Sequence, residues 1–188
     1  MFLKRADPYA LVVGMTGVKM GDRVVQIGCA HGGRLGAVAG KVGLSGRAVA
    51  VVPDEASASR ARKGAANAGA LVEIEVAPAT RLPLENDAFD LAVVDDTGGL
   101  FGEIRRADRV LAIRELVRVL RPGGRVMIIG ALPRGGLGAL LSRTPSGPPF
   151  AARDAGAALQ ADGFKSVRTL AEREGLLFVE GIKPRGHG

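Results

Sequence analysis

Residues 23–38, RVVQIGCAHGGRLGAV, hold most of the chemical potential of this sequence. A β-branched apolar run is followed by a glycine-rich turn, Gly28–Gly33, and then by apolar residues at helical spacing. A strand, a tight glycine turn and a helix together aim backbone N–H groups and a helix N-terminus at an anionic or polar ligand. Two side chains could act as a base or orient a ligand at this turn: His31, within it, and Asp95, which follows a later apolar run.

Each of these two side chains has two interpretations. Asp95 either orients a ligand or removes a proton, or it is a solvated acid at a strand end. His31 either contacts the ligand or acts as a base, or it is an exposed polar loop residue. Cys29 is the only cysteine, which excludes an internal disulfide and a C-x-x-C motif, and it is expected to be small and buried. His31 and His187 are far apart in sequence, so no metal site is predicted.

Composition narrows the class of protein. The chain has 188 residues, 47% of them hydrophobic, which suits a single α/β domain over residues 1–188. The net charge of +7 permits an anionic partner, but one tyrosine and no tryptophan argue against a platform that stacks single-stranded nucleic acid. The N-terminus lacks the apolar core of a signal peptide and no apolar run is long enough to cross a membrane, so we expect a cytoplasmic protein without a membrane partner.

The elements that must position these residues alternate between strands and helices. Strands are predicted over 23–27, 47–52, 71–76, 91–94, 125–129, 165–171 and 176–183. Helices are predicted over 8–18, from about 35 to 42, and over 53–67, 103–120 and 153–162. This order predicts an α/β fold with a doubly wound, seven-stranded, mostly parallel sheet and a C-terminal antiparallel hairpin. Residues 1–20 are expected to form either a lid over the site or a cover for the sheet, and residues 131–150 a flexible loop over the site.

Three phrases resemble the class I S-adenosylmethionine-dependent methyltransferases, particularly the small single-domain type 11 group that acts on quinones and other small molecules. They are ELVRVLRPGGR (115–125), LPL followed by FDL (82–84 and 89–91) and ADGF (161–164). The resemblance covers nearly the whole chain and implies the Rossmann-like methyltransferase fold with S-adenosylmethionine as cofactor. A nicotinamide-binding domain fits less well, because Ala30 interrupts the G-x-G-x-x-G pattern that would begin at Gly28.

In the family, the glycine loop contacts the methionine part of the cofactor, the second strand ends in a carboxylate that binds the ribose, and an acid after the third strand lies near the adenine. The resemblance thus implies cofactor contacts at Gln26, Gly28, Cys29, Ala30, Gly32, Val52, Pro53, Asp54, Pro78, Ala79 and Asp95. The chain departs from the pattern at four of these positions: Gln26, Val52 and Pro78 replace acids, and Ala30 replaces a glycine. Asp54 is either a substitute ribose ligand or the first acidic residue of a helix.

Three functional hypotheses follow. The first is a methyltransferase that acts on a small-molecule acceptor, with Asp95 and His31 as catalytic candidates and transfer by in-line displacement at a sulfonium methyl. The second is a methyltransferase-fold protein that no longer uses the cofactor and serves as a binding or scaffolding module; the replacements at Gln26, Val52 and Pro78 motivate it. The third, motivated by the net charge alone, is an RNA methyltransferase. The oligomeric state is not predicted.

Overall fold

The computed structural model describes residues 7–132 and 150–186. Its strands are β1 (Arg23–Ile27), β2 (Arg47–Val52), β3 (Glu73–Val76), β4 (Phe89–Asp95), β5 (Leu120–Ala131), β6 (Lys165–Arg173) and β7 (Leu176–Ile182). Its helices are α1 (Ala10–Thr16), α2 (Gly32–Val42), α3 (Glu55–Ala68), α4 (Leu100–Glu103), α5 (Arg106–Val119), α6 (Phe150–Arg153) and α7 (Ala155–Ala161).

The seven strands form one sheet in the order β3-β2-β1-β4-β5-β7-β6. Strands β1 to β5 are parallel to one another, and β7 lies antiparallel between β5 and β6. From β1 the chain adds β2 and β3 on one side and then β4 and β5 on the other, so the switch point lies between β1 and β4. An open α/β sheet binds ligands at such a switch point, outside the carboxyl ends of the strands. The predicted fold class is therefore confirmed, including the strand that the terminal hairpin inserts.

Helices cover both faces of the sheet. On one face, α5, α6 and α7 pack over a cluster that includes Val25, Val94 and Ile128. On the other face, α1 and α2 pack over Val24 and Val93, while α3 packs over the carboxyl half of β2. The central strands are nearly continuous β-branched and apolar runs because both of their faces are buried.

Several predicted boundaries were wrong. The helix predicted over 103–120 is α5, which begins only at Arg106 because Ile104 adopts an extended conformation (φ −79°, ψ 155°); the short α4 before it was not predicted. Leu120 already pairs with Phe89 in the sheet, and the Pro-Gly-Gly turn bulges from β5 before pairing resumes at Arg125. β3 is two residues shorter than predicted, the helix predicted over 153–162 is α7, and the short α6 before it was not predicted.

The loop predicted over 131–150 lies mostly outside the described residues and stays a prediction. Within residues 7–132 and 150–186, no helix is long and apolar enough to cross a membrane. In the same residues, no three His, Cys, Asp or Glu side chains lie close enough together to share a metal ion.

Candidate cofactor site

The glycine loop, Gly28–Gly33, lies at the carboxyl end of β1. Gly28 takes φ +79°, in the left-handed region that favours glycine, and its N–H donates to the carbonyl of Val51 on the adjacent strand at 2.8 Å. α2 starts at Gly32 after an extended His31 whose side chain makes no capping hydrogen bond, and its first turn contains no acidic residue. The N-terminus of α2 is thus left without a side-chain cap at the switch point of the sheet.

Asp95 holds this loop in place. Its side chain is buried, and Oδ2 accepts hydrogen bonds from the backbone N–H groups of Ala30 at 3.0 Å and His31 at 3.3 Å. Oδ1 accepts from the hydroxyl of Thr97 at 2.6 Å and from its N–H at 3.4 Å. Both carboxylate oxygens are therefore occupied by internal donors, which suits a positioning group better than a free base.

Arg34, in the first turn of α2, reaches the same carboxylate. Its Nη2 donates to the Thr97 hydroxyl at 2.5 Å and lies 3.6 Å from Oδ1 of Asp95. Its Nε is buried and has no hydrogen-bond partner among the described residues. A buried donor without a partner costs about 1–3 kcal/mol, more for a charged group, so an oxygen that accepted a hydrogen bond from this N–H would relieve that cost.

Gln26 occupies the position at which the family has an acid. Its side chain is buried, and Nε2 donates to the carbonyl of Gly28 at 3.0 Å. A carboxylate could not donate this bond, so the amide supports the turn from within the loop while adding no charge to it.

The N-cap residue of α1 and the first residue of α4 both contact the glycine loop. The ring of Tyr9 lies 5.6 Å from the ring of His31 at an interplanar angle of 54°. From the other side, Leu100 of α4 packs on Gly28, where an added Cβ would approach its Cδ2 to 2.8 Å. α1 therefore covers the sheet through Val12 and also brings Tyr9 to the glycine loop; its role as a lid stays a prediction.

Asp96 points away from the loop, toward α4. Its Oδ1 accepts from the N–H of Phe101 at 2.6 Å, while Oδ2 is buried without a partner among the described residues. Burial raises the pKa of Asp96 from 3.8 to about 6, the neighbouring Asp95 adds to the rise, and the N–H groups of Phe101 and Gly102 oppose it. This carboxyl group thus changes charge close to neutral pH.

The second-strand end, Val52–Asp54, offers a ligand much less. The Val52 side chain is 0% exposed and packs with Cys29 and Leu35. Asp54 is the N-cap of α3: its Oδ1 accepts from the N–H of Ser57 at 2.7 Å, and this bond lowers its pKa. The geometry therefore matches the helix-capping interpretation of Asp54.

Arg60 of α3 joins the two ends. Its Nε donates to the carbonyl of Cys29 at 3.0 Å and its Nη2 to the hydroxyl of Ser57 at 2.7 Å. Cys29 itself is buried as predicted, and this burial, with the charge of Asp95, raises the pKa of its thiol to about 11. Only the backbone of Cys29 is therefore presented to a ligand or to Arg60.

After β3, Pro78 is exposed and lines an open groove of about 730 Å³ between the 77–85 loop and α5. Glu115 and Arg118 form its far wall, where they are paired with each other at 2.7 Å. Ala79 is partly buried beside Pro78. Pro78 and Ala79 themselves offer a ligand only apolar or backbone contacts, whereas the far wall of the groove is charged.

The structure brings the loop residues and Asp95 into direct contact and places the second-strand end beside them through Arg60. The catalytic role of His31 stays a prediction, as do the cofactor contacts at Gln26, Gly28, Cys29, Ala30, Gly32, Val52, Pro53, Asp54, Pro78, Ala79 and Asp95. Four participants were not predicted: Tyr9, Arg34, Arg60 and Thr97. Arg34 follows the loop by one residue and Tyr9 is the only tyrosine, which were the signals available in the sequence.

Comparison with known proteins places these features in a family. Residues 24–124 match the family described as "Methyltransferase domain". Methyltransferase GfsG of Streptomyces halstedii is 31% identical over 120 residues, which are 64% of this chain and 41% of that protein. A ubiquinone/menaquinone biosynthesis C-methyltransferase of Bordetella parapertussis is 29% identical over 120 residues, 64% of this chain and 45% of that protein. The alignments thus span less than half the length of these relatives.

The fold agrees with solved structures. A SAM-dependent methyltransferase from Aquifex aeolicus superposes with a TM-score of 0.70 over 93% of this chain and 89% of that one, at 21% identity. The methyltransferase match covers more than half of the 188 residues and includes the glycine loop, the second-strand end and Asp95. The chain belongs to the family of class I S-adenosylmethionine-dependent methyltransferases.

Proposed function

We propose that the protein binds S-adenosylmethionine at the carboxyl ends of β1 and β2 and methylates a small-molecule acceptor. The observation that carries this proposal is the uncapped N-terminus of α2 beside Arg34, whose Nε is buried without a partner among the described residues. Both features are donors with no acceptor, and a carboxylate such as that of the cofactor's methionine supplies the acceptor that they lack.

The residues fit the two parts of the cofactor unequally. The glycine loop and Arg34 would hold the methionine part, through N–H groups and a guanidinium. The nucleoside part would meet backbone, the capping carboxylate of Asp54 and apolar contacts at Pro78. Each hydrogen bond lost relative to the family pattern is worth about 0.5–1.5 kcal/mol, so we expect weaker binding than a complete set of acids would give.

The bound cofactor supplies an activated methyl group on a sulfonium, and the chain contributes positioning and exclusion of water. In this proposal Asp95 is a positioning residue, because its oxygens fix the N–H groups of Ala30 and His31. His31 is exposed within the loop, and its imidazole is the proposed site for accepting a proton from the acceptor during transfer.

Support for a small-molecule acceptor comes from the relatives. One of the proteins aligned above is, by its name, a ubiquinone/menaquinone biosynthesis C-methyltransferase. We therefore propose a quinol or phenol as the class of acceptor. An RNA acceptor has only the net charge of +7 in its favour.

The test is transfer of labelled methyl from S-adenosylmethionine to a panel of quinols and phenols, with total RNA as a separate arm. We expect label in the small-molecule fraction, a large reduction of transfer in Asp95→Asn, and no reduction in Gly40→Ala, a change in α2 at a position with open space around it. Label only in the RNA arm, or transfer unaffected by Asp95→Asn, would contradict the proposal.

The second-strand end favours one other candidate, a methyltransferase-fold module without cofactor chemistry. Val52 is apolar and fully buried where the family binds the ribose, and Asp54 is engaged as a helix cap. This candidate predicts a folded protein that gives no heat of binding with S-adenosylmethionine or with its demethylated product, S-adenosylhomocysteine. Binding of either ligand at micromolar concentration excludes it.

A further inference from the structure

Tyr9 is the only tyrosine in a chain without tryptophan, yet its ring lies on the glycine loop. A side chain at Gly33 would overlap the phenol, so the glycine there leaves room for Tyr9 against the first turn of α2. The ring of His31 lies beside it, 5.6 Å away between centroids. Two aromatic rings are thus brought together at the loop that is proposed to hold the methionine part of the cofactor.

The position of Tyr9 is fixed by its own helix. Its carbonyl accepts from the N–H of Val13 at 3.0 Å, and its N–H donates to Oδ1 of Asp7 at 2.9 Å. At the other end of α1, Nη2 of Arg125 donates to the carbonyl of Thr16 at 2.7 Å. Arg125 is in turn paired with the buried Glu180 at 3.1 Å, so α1 is fastened to the central sheet.

A cation bound at the glycine loop would find no carboxylate oxygen of Asp95 free to contact it, and Gln26 adds no charge. Gln26 stands where the family has an acid, and its amide bonds to the Gly28 carbonyl. Asp95 is the buried carboxylate at the loop, and both of its oxygens accept internal hydrogen bonds. A sulfonium ion bears a full positive charge, and the face of an aromatic ring attracts such a charge without any carboxylate.

We propose that Tyr9, with His31 beside it, recognises the sulfonium of S-adenosylmethionine through the face of its ring. This inference rests on the proposed function and assigns to Tyr9 the discrimination between the charged cofactor and the neutral product S-adenosylhomocysteine. The two ligands differ by one methyl group and one charge, so a cation–π contact favours the first of them alone.

The test compares calorimetric dissociation constants of both ligands for wild-type, Tyr9→Phe and Tyr9→Leu proteins. We expect Tyr9→Leu to reduce the preference for S-adenosylmethionine about fivefold, since an exposed cation–π contact contributes about 1 kcal/mol. Tyr9→Phe keeps the ring and should keep the preference. If Tyr9→Leu weakens both ligands equally or neither, or if Tyr9→Phe loses the preference as well, the inference is overturned.

Fluorescence of the wild-type protein provides a second readout that does not need a variant to fold. All tyrosine emission comes from Tyr9, and S-adenosylmethionine should quench it more strongly than S-adenosylhomocysteine at saturation of each. Equal quenching by both ligands contradicts the inference while leaving the proposed function intact. Absence of calorimetric binding of both ligands to the wild-type protein overturns the proposed function, and this inference with it.

Discussion

The two ends of the candidate site are built on the same sheet edge but are equipped very differently. At the glycine-loop end, α2 has no side-chain cap and Nε of Arg34 has no partner among the described residues. At the second-strand end, Asp54 caps its own helix and Val52 is fully buried. One end is thus open to a polar ligand, and the other has used most of its polar groups in the fold.

The comparison indicates that the acidic positions of the family pattern can be replaced independently of one another. Replacing the acid at the end of β2 by valine adds an apolar contact to the cluster around Leu35, whereas replacing the first acid by Gln26 preserves the loop through a new internal bond. The substitutions therefore maintain the scaffold at both ends, but only the loop end retains unsatisfied donors.

The largest expected effect concerns the contact between α2 and α3, the helices that follow the glycine loop and the second-strand end. An added methyl at Gly64 of α3 would overlap the backbone of Gly32 at the start of α2. We expect Gly64→Ala to lower the free energy of unfolding by about 3 kcal/mol, because two helix backbones must move apart. Gly40→Ala, in the interior of α2 with open space around it, should instead raise the free energy of unfolding by about 0.5–1 kcal/mol.

Urea unfolding of both variants checks this pair. Equal stability of Gly64→Ala and the wild-type protein would show that α2 and α3 are not in backbone contact, and would remove the basis for treating the two ends as one site.

The second prediction concerns Asp96, which follows Asp95 in the sequence but accepts a hydrogen bond from α4 instead of from the glycine loop. Burial raises the folded-state pKa of Asp96 to about 6, so the folded protein holds this proton more tightly than the unfolded chain does. The associated stability is present at low pH and is lost as the pH rises from about 4 to about 6. The free energy of unfolding of Asp96→Asn, relative to that of the wild-type protein, should therefore rise by roughly 2–3 kcal/mol between about pH 4 and pH 7.

Urea denaturation across this pH range gives the difference in unfolding free energy. Asp154→Asn removes an exposed carboxylate and serves as the control for a change of charge. A wild-type-minus-variant difference for Asp96→Asn that stays constant with pH would contradict the assigned environment of the carboxyl group.

A smaller effect compares carboxylates at the two ends. Asp95→Asn removes the charge that faces Arg34 and the loop N–H groups, and we expect a roughly tenfold loss of affinity for S-adenosylmethionine, equivalent to about 1.4 kcal/mol. Asp54→Asn keeps a capping oxygen at the second-strand end, and the dissociation constant should change by less than about twofold. Calorimetry on both variants decides this, and a greater loss in Asp54→Asn would reverse the assignment of the two ends.

Much of the fold could be predicted from the sequence. Seven strands and their order of connection follow from buried β-branched runs such as 47–52 and from the terminal hairpin, and the burial of Cys29 was also predicted correctly. The short α4 was not predicted, because four residues are too few to show a helical apolar period.

The site was less predictable because its contacts join distant segments. Arg34 meets Thr97 across 63 positions, Arg60 reaches Cys29 across 31, and Tyr9 meets the loop through the packing of α1. Local patterns indicate which residues could carry chemistry, but the pairing of Asp95 with loop N–H groups depends on the register between β1 and β4.

The central claim is that the glycine-loop end still binds the cofactor although the second-strand end lacks the family's carboxylate. Isothermal titration of the folded wild-type protein with S-adenosylmethionine tests it most directly. We predict one site with a dissociation constant in the micromolar range. A folded sample that gives no heat of binding at millimolar ligand would contradict the claim and leave only the architecture of a methyltransferase.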